Sequence, residues 1–377
     1  MKVVINALII TDKEILVGYN IIFDQKIISI TKEIPLNIEI IDAKGAYLSA
    51  GFIDIHIHGS GGADVMDFTN SSLDTISKTL LQTGTTSFLA TTMTMSKENI
   101  KNALLNIKRY SSKVKGAKIL GVHLEGPFIN PTKHGAQNPK YIQNPNFELI
   151  KEHIDIIKLI TLAPEIKGAK EFIYYIKKNY PNIVLSLGHS SANYEEAKRS
   201  FRWGISHATH LFNAMNPLHH REVGAVGAVL EDSTISCEII ADNIHIHPVL
   251  YGLIYKLKKE KLLLITDAMR AGCMRCGEYS LGGQKVFVKD GKALLEDGTL
   301  AGSVLRLNDA LKNFYNHCDI ELPKLISMVT STPAKMLGLE DIGELKEGYS
   351  ADIVLFNSEF KILKIFVDGE IKYNEKS

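Results

Sequence analysis

The sequence predicts a (β/α)8 barrel carrying a small β-sandwich built from both chain ends. Two observations predict it. From Gly51 onward, eight strand candidates alternate with amphipathic helical stretches, and eight such units over about 270 residues have the length and rhythm of that barrel. Residues 1–48 and 340–377 are instead rich in β-branched residues and turn signals, so they are expected to form the sandwich, and 49–339 the barrel. A doubly wound open sheet is the alternative, but it would not need eight strands, and no G-x-G-x-x-G is present.

In order, Lys2–Ile10, Glu14–Phe23, Lys26–Thr31 and Glu39–Asp42 read as terminal strands, with turns at Asp12-Lys13 and Asp24-Gln25. The barrel strands follow at Ile53–His58, Thr86–Thr91, Lys118–Leu124, Lys158–Leu162, Ile183–Gly188, Ile205–His210, Ile235–Ala241 and Leu262–Asp267. Helical periodicity marks Ser72–Thr83, Lys97–Tyr110, Phe147–Ile154, Ala169–Asn179, Tyr194–Trp203, Val249–Lys259, Val304–Cys318 and Leu325–Leu337. Ser96 and Asn193 stand where N-caps belong. Ala351–Phe356, Ile362–Val367 and Glu370–Tyr373 complete the terminal strands, the last two joined at Asp368-Gly369.

Composition excludes several classes of function. With 43 basic and 42 acidic residues in 377, the net charge of +1 offers nothing to nucleic acid or an anionic surface. The apolar run at the start is too short to span a membrane and lacks a cleavage site, which points to the cytoplasm. Four scattered cysteines, Cys237, Cys273, Cys276 and Cys318, do not make a disulfide framework.

The first barrel strand, G-F-I-D-I-H-I-H-G, alternates, placing Asp54, His56 and His58 on one face and Ile53, Ile55 and Ile57 on the other. Two histidines at i and i+2 on a strand can reach one divalent metal. Catalytic residues of such barrels gather at the C-terminal strand ends. Those ends supply His56, His58, Glu125, His189, His210 and Asp267: six side chains able to bind a metal or move a proton. Imidazoles and carboxylates suit Zn²⁺, Fe²⁺ or Co²⁺, and an open coordination position lets the metal acidify a water. A carboxylate beside that water takes its proton and passes it to a leaving amine, the chemistry of an amide hydrolase. One open tetrahedral metal takes three protein ligands, so His56 and His58 either fill a second position, with Glu125 able to bridge, or orient the ligands of a single ion through hydrogen bonds.

The ordered set G-F-I-D-I-H-I-H-G, H-L-E-G-P-F, L-G-H-S, T-H-L-F-N-A-M, A-D-N-I-H and T-D-A-M resembles the amidohydrolase superfamily and, within it, the N-acetylglucosamine-6-phosphate deacetylase family. The resemblance implies that Glu125, His189 and His210 hold the principal metal, with Asp267 as acid and base. It further implies that Asn213, Ala214 and Arg221 meet a sugar phosphate, while His245 and Leu300-Ala301-Gly302 close on the sugar. An arginine fork suits a phosphate. Other superfamily members bridge two metals with a carboxylated lysine, and Glu125 looks like its replacement here. Where some family members carry a substrate-binding histidine, this chain has Gln137, preceded by Ala136; Gln can hydrogen-bond an acetyl carbonyl or a hydroxyl but carries no charge.

The function so implied is metal-dependent deacetylation of N-acetyl-D-glucosamine 6-phosphate, with one or two ions of Zn²⁺ or Fe²⁺ per chain and a homodimeric assembly in which a neighbouring subunit can complete the phosphate site. Alternatives are a deacetylase of another N-acylated amino sugar, a cyclic-amide hydrolase, or an inactive binding relative. Cys273 and Cys276 have no second pair at zinc-site spacing and read as part of a loop over the active site.

Overall fold

The computed structural model describes residues 1–375. Eight parallel strands form its centre: β1 (Phe52–Ile57), β2 (Thr85–Thr91), β3 (Lys118–Glu125), β4 (Ile157–Leu162), β5 (Val184–Leu187), β6 (His207–Ala208), β7 (Ser236–Ile240) and β8 (Leu262–Ile265). Each pairs with the next in the chain. The ring closes beyond β8, where Asp267 N–H donates to His56 C=O at 2.9 Å and His58 N–H to Ala268 C=O at 2.9 Å. This is the TIM-type barrel that the alternation predicts.

Outside lie α1 (Asn70–Leu80), α2 (Lys97–Tyr110), α3 (Ala169–Asn179), α4 (Tyr194–Trp203), α5 (Gly224–Glu231), α6 (Tyr251–Lys258) and α7 (Leu307–His317). Except in α5, their buried stripes follow the helical period; Ile100, Ala103, Leu104 and Ile107 are the inner face of α2. Both expected caps form. Ser96 Oγ accepts from Asn99 N–H, and Asn193 and Glu196 make a reciprocal capping box at the start of α4.

The expected strands Lys2–Ile10 and Glu14–Phe23 each break in two, and four further stretches depart from the sequence expectation. G-A-V-G-A-V-L-E of α5 is buried on every side up to Leu230, so it shows no amphipathic period to read. Phe147–Ile156 is two 3-10 turns rather than one helix. The expected helix 325–337 splits into α8 (Leu322–Ser327) and α9 (Ser331–Met336). The carbonyls freed between them receive barrel donors: Ile53 N–H bonds Val329 C=O at 2.7 Å and Leu264 N–H bonds Met328 C=O at 3.3 Å. Finally, residues 277–294 are a three-stranded sheet, Gly277–Leu281, Gln284–Lys289 and Lys292–Leu294. Its two tight turns, Gly282-Gly283 and Asp290-Gly291, have positive φ at both positions, the hairpin signal that G-G and D-G carry.

The chain ends form two sheets. One orders Ile27–Thr31, Asn20–Phe23, Lys2–Ile5 and Glu39–Asp42; the other orders Glu370–Asn374, Ile362–Val367, Ile353–Phe356, Tyr47–Ala50, Leu8–Ile10 and Ile15–Leu16. Val4, Ile9, Ile21, Phe23, Leu48, Ile353 and Phe366 are among the residues buried together between them. Tyr47–Ala50 pairs with strands from both chain ends and leads through Gly51 directly into β1.

Candidate metal centre

The C-terminal barrel mouth opens into a cavity of about 320 Å³, within the usual range for small-molecule sites. Glu125, the last residue of β3, stands at its base, and four imidazoles face it. His189 Nε2 and His210 Nε2 lie 3.2 and 3.0 Å from Glu125 Oε1. His58 Nε2 is 3.2 Å from Glu125 Oε2, and His56 Nε2 is 3.4 Å from Glu125 Oε1. Asp267 Oδ1 sits 3.2 Å from His58 Nε2 and 3.5 Å from His56 Nε2. The six polar side chains expected at the strand ends thus converge on one point.

Local backbone makes this possible. His189, His210 and Asp267 all have positive φ, of 47°, 28° and 49°, unusual for residues other than glycine. Each leaves its strand in a left-handed turn, which swings the side chain over the mouth; such strain gathers at functional sites. Gly126 follows Glu125 with φ of 71°, and a β-carbon there would overlap the Thr94 hydroxyl.

The hydrogen bonds behind the rings decide what they present. The Nδ1 of His189, His58 and His56 lie 2.8 Å from Lys133 C=O, 3.3 Å from Thr91 C=O and 2.8 Å from Glu238 Oε1. Those partners only accept, so each Nδ1 carries the proton. Each Nε2 is then free to offer a lone pair toward Glu125. His189 Nε2 and His210 Nε2 face one another at 3.1 Å, and His56 Nε2 is buried with no hydrogen-bond partner. Lone pairs converging on each other and on carboxylates are stable only around cations. The donors form two groups, His56–His58–Glu125 and Glu125–His189–His210, each with ligand atoms within 4.8 Å of one another. The set fits divalent metal and shares Glu125.

Without a metal, protons fill that role. Burial drives the His58 imidazole down, but its hydrogen bonds to Asp267 and Glu125 outweigh burial and bring it up to about 9. Burial likewise opposes charge on His56, yet Glu125, Glu238 and Asp267 hold it well above its ordinary value. Glu125 and Asp267 stay below the usual carboxylate range because nearby imidazoles overcome burial. His123, buried beside His56, is pushed down to about 3 by burial and by that neighbour.

The expected sugar-binding residues separate. Ala136, Asn213, Ala214, His245, Leu300 and Gly302 line the cavity, while Ala301 is fully buried behind it. His245 Nδ1 donates to Asp242 Oδ2 at 2.7 Å. Gln137 also lines the cavity, but both of its polar ends are engaged by protein. Arg221 does not reach this wall; it is exposed in the 216–223 loop, 2.6 Å from His220 Nε2. The lysine on the wall is Lys133. Cys273 and Cys276 belong to the loop after β8 and are free thiols.

Sequence reasoning passed over Lys133 and Glu238. The signal for Glu238 was an acid within the apolar strand S-C-E-I-I; for Lys133 it was only proximity to H-L-E-G-P. The three-stranded sheet reaches the site too: Leu281 lines the cavity, and Gln284 Nε2 donates to Ala136 C=O at 2.6 Å.

Residues 47–372 match the amidohydrolase family. N-acetylglucosamine-6-phosphate deacetylase of Bacillus subtilis (strain 168) is 40% identical over 98% of this chain and 96% of its own length. N-acetylgalactosamine-6-phosphate deacetylase of Escherichia coli O157:H7 is 34% identical over 89% of this chain and 90% of its own. The crystal structure of N-acetylglucosamine-6-phosphate deacetylase from Pasteurella multocida superposes with a TM-score of 0.94, covering 99% of this chain and 100% of that one at 34% identity.

Proposed function

The chain belongs to the amidohydrolase family, and on that premise we propose that it hydrolyses N-acetyl-D-glucosamine 6-phosphate to D-glucosamine 6-phosphate and acetate in amino-sugar catabolism. The observation that carries this reading is Glu125 facing two groups of metal-binding imidazoles, with Asp267 at hydrogen-bonding distance from one of them.

Glu125, His189 and His210 would hold one divalent cation, and His56, His58 and Glu125 a second; zinc and ferrous iron suit these donors. Bound there, such a cation supplies Lewis acidity, polarising the acetyl carbonyl and making a water acidic enough to attack it. Asp267, held as a carboxylate and partly open to the cavity, takes the proton that the attacking water gives up. It then delivers that proton to the amide nitrogen as the C–N bond breaks, so the amine leaves neutral and the acid formed releases the second water proton to solvent as acetate. Asn213, Ala214, His245, Leu300 and Gly302 hold the sugar, and Lys133 offers a charge to its anionic end.

We assign Arg221 to the phosphate across a homodimer interface, since it is exposed and does not line its own chain's cavity. The cytoplasm is the compartment we propose; no helix among the described residues is long and apolar enough to cross a membrane, and all four cysteines are free.

A second reading, favoured by the relative that acts on the galacto sugar, is deacetylation of N-acetylgalactosamine 6-phosphate. Acetate release from the gluco phosphate, the galacto phosphate and unphosphorylated N-acetylglucosamine tests both. The expected order is gluco phosphate first and the unphosphorylated sugar far behind. Preference for the galacto phosphate would establish the second reading, and no acetate from either phosphate would overturn both.

A further inference from the structure

Glu238 lies in the middle of β7 with no solvent exposure. Its Oε1 accepts from His56 Nδ1–H at 2.8 Å and from the backbone N–H of His210 at 3.2 Å. Its own carbonyl accepts from Leu211 N–H at 2.8 Å. One residue therefore braces a donor of each group of three: the His56 ring in one, and in the other the turn that gives His210 its positive φ. Glu238 Oε2 has no hydrogen-bond partner and stands 3.7 Å from His207 Nε2. Among the described residues, no lysine or arginine pairs with Glu238.

A glutamine would accept the same two hydrogen bonds at no cost in buried charge. A fully buried carboxylate is expensive unless a positive charge balances it. What the carboxylate adds over the amide is its charge, and His56 connects that charge to the centre. Glu125 and Asp267 neutralise only half the charge of two divalent cations, and Glu238 is the third carboxylate within reach.

We propose that Glu238 is a positioning residue that fixes His56 with Nε2 toward the centre and, through its charge, determines whether the His56–His58–Glu125 position holds a cation. This rests on the two-position reading of the centre. A hydrogen-bonded carboxylate behind a metal-binding histidine commonly changes metal affinity by about 10–100-fold.

The test compares wild type, Glu238→Gln and His56→Asn, each stripped with chelator and titrated with Co²⁺ while visible absorption and elemental stoichiometry are followed. Wild type is expected to take two ions. Glu238→Gln keeps one at wild-type affinity and binds the second at least about 10-fold more weakly. Its kcat falls at unchanged KM for the sugar phosphate. Two ions at wild-type affinity in Glu238→Gln would overturn the proposal. So would equal weakening of both ions, the signature of a merely structural role. A single ion in wild type and in His56→Asn alike would instead overturn the two-position reading beneath it.

Discussion

Gln137 Nε2 donates to Glu125 Oε2 at 2.7 Å, while Gln137 Oε1 accepts from Thr94 N–H at 2.6 Å. The amide is a strut between the loop after β2 and the carboxylate shared by both groups of imidazoles. It leaves Oε1 of Glu125 to His189, His210 and His56. Replacing Gln137 by Leu should therefore loosen both positions together, lowering metal affinity by about 10-fold or more. Metal titration of the stripped variant checks this; unchanged affinity with a raised KM would mean that Gln137 serves the sugar instead.

Asp267 lines the cavity with Glu125 and is the more exposed of the two carboxylates, at 12% against 2% of its side chain. Asp267→Asn keeps the shape and loses the proton acceptor, so kcat should fall by at least about 10²-fold with metal content intact. Turnover within a few-fold of wild type would remove Asp267 from the proton path.

Arg221 can be tested without a structure of the assembly. If it serves a neighbouring subunit, mixing inactive Asp267→Asn with weakened Arg221→Ala chains creates sites that carry both intact residues. Random reassortment into symmetric dimers should restore about a quarter of wild-type sites. Activity equal to the average of the two separate proteins after subunit exchange would count against action across the interface.

The metal-free protein should lose stability as pH rises. His58, brought up to about 9 from 6.5 by its carboxylate partners against burial, contributes stability fully present below about 6.5 and lost as pH climbs through about 9. Asp54, pushed up to about 7 from 3.8 by burial, has the same sign: its contribution fades as pH rises through about 7. With excess zinc the trend should reverse across pH 6.5–9, because protons compete with metal for the same imidazoles. Melting curves with chelator and with zinc check this; parallel curves would mean that the imidazoles do not exchange protons for metal.

The sequence made the barrel legible because its strands and most helices carry clean periods; Lys97–Tyr110, Ala169–Asn179 and Tyr194–Trp203 occur with the expected bounds. The gathering of His56, His58, Glu125, His189, His210 and Asp267 could be read from strand ends, where barrel topology fixes position without any knowledge of loops. Hidden were features set by tertiary contact. The α5 segment is buried all round, and the break after α8 exists to give carbonyls to β1 and β8. Glu238 was hidden because an acid inside a strand shows its purpose only when the ring above it is known. The reach of Arg221 depends on a loop whose geometry no periodicity encodes.

The strand Tyr47–Ala50 makes the terminal sheet and the metal-bearing strand one continuous rod. Its register against Leu8–Ile9 and Ile353–Phe356 also sets where His56 and His58 stand beside Asp267 and Ala268. An engineer seeking a minimal catalyst could not simply cut the barrel free at Phe52. The excised barrel would lose the clamp that aligns its first strand, and its two histidines would be the first ligands to slip. Grafting and fusion at the chain ends should instead treat both termini as parts of the instrument that aims the site.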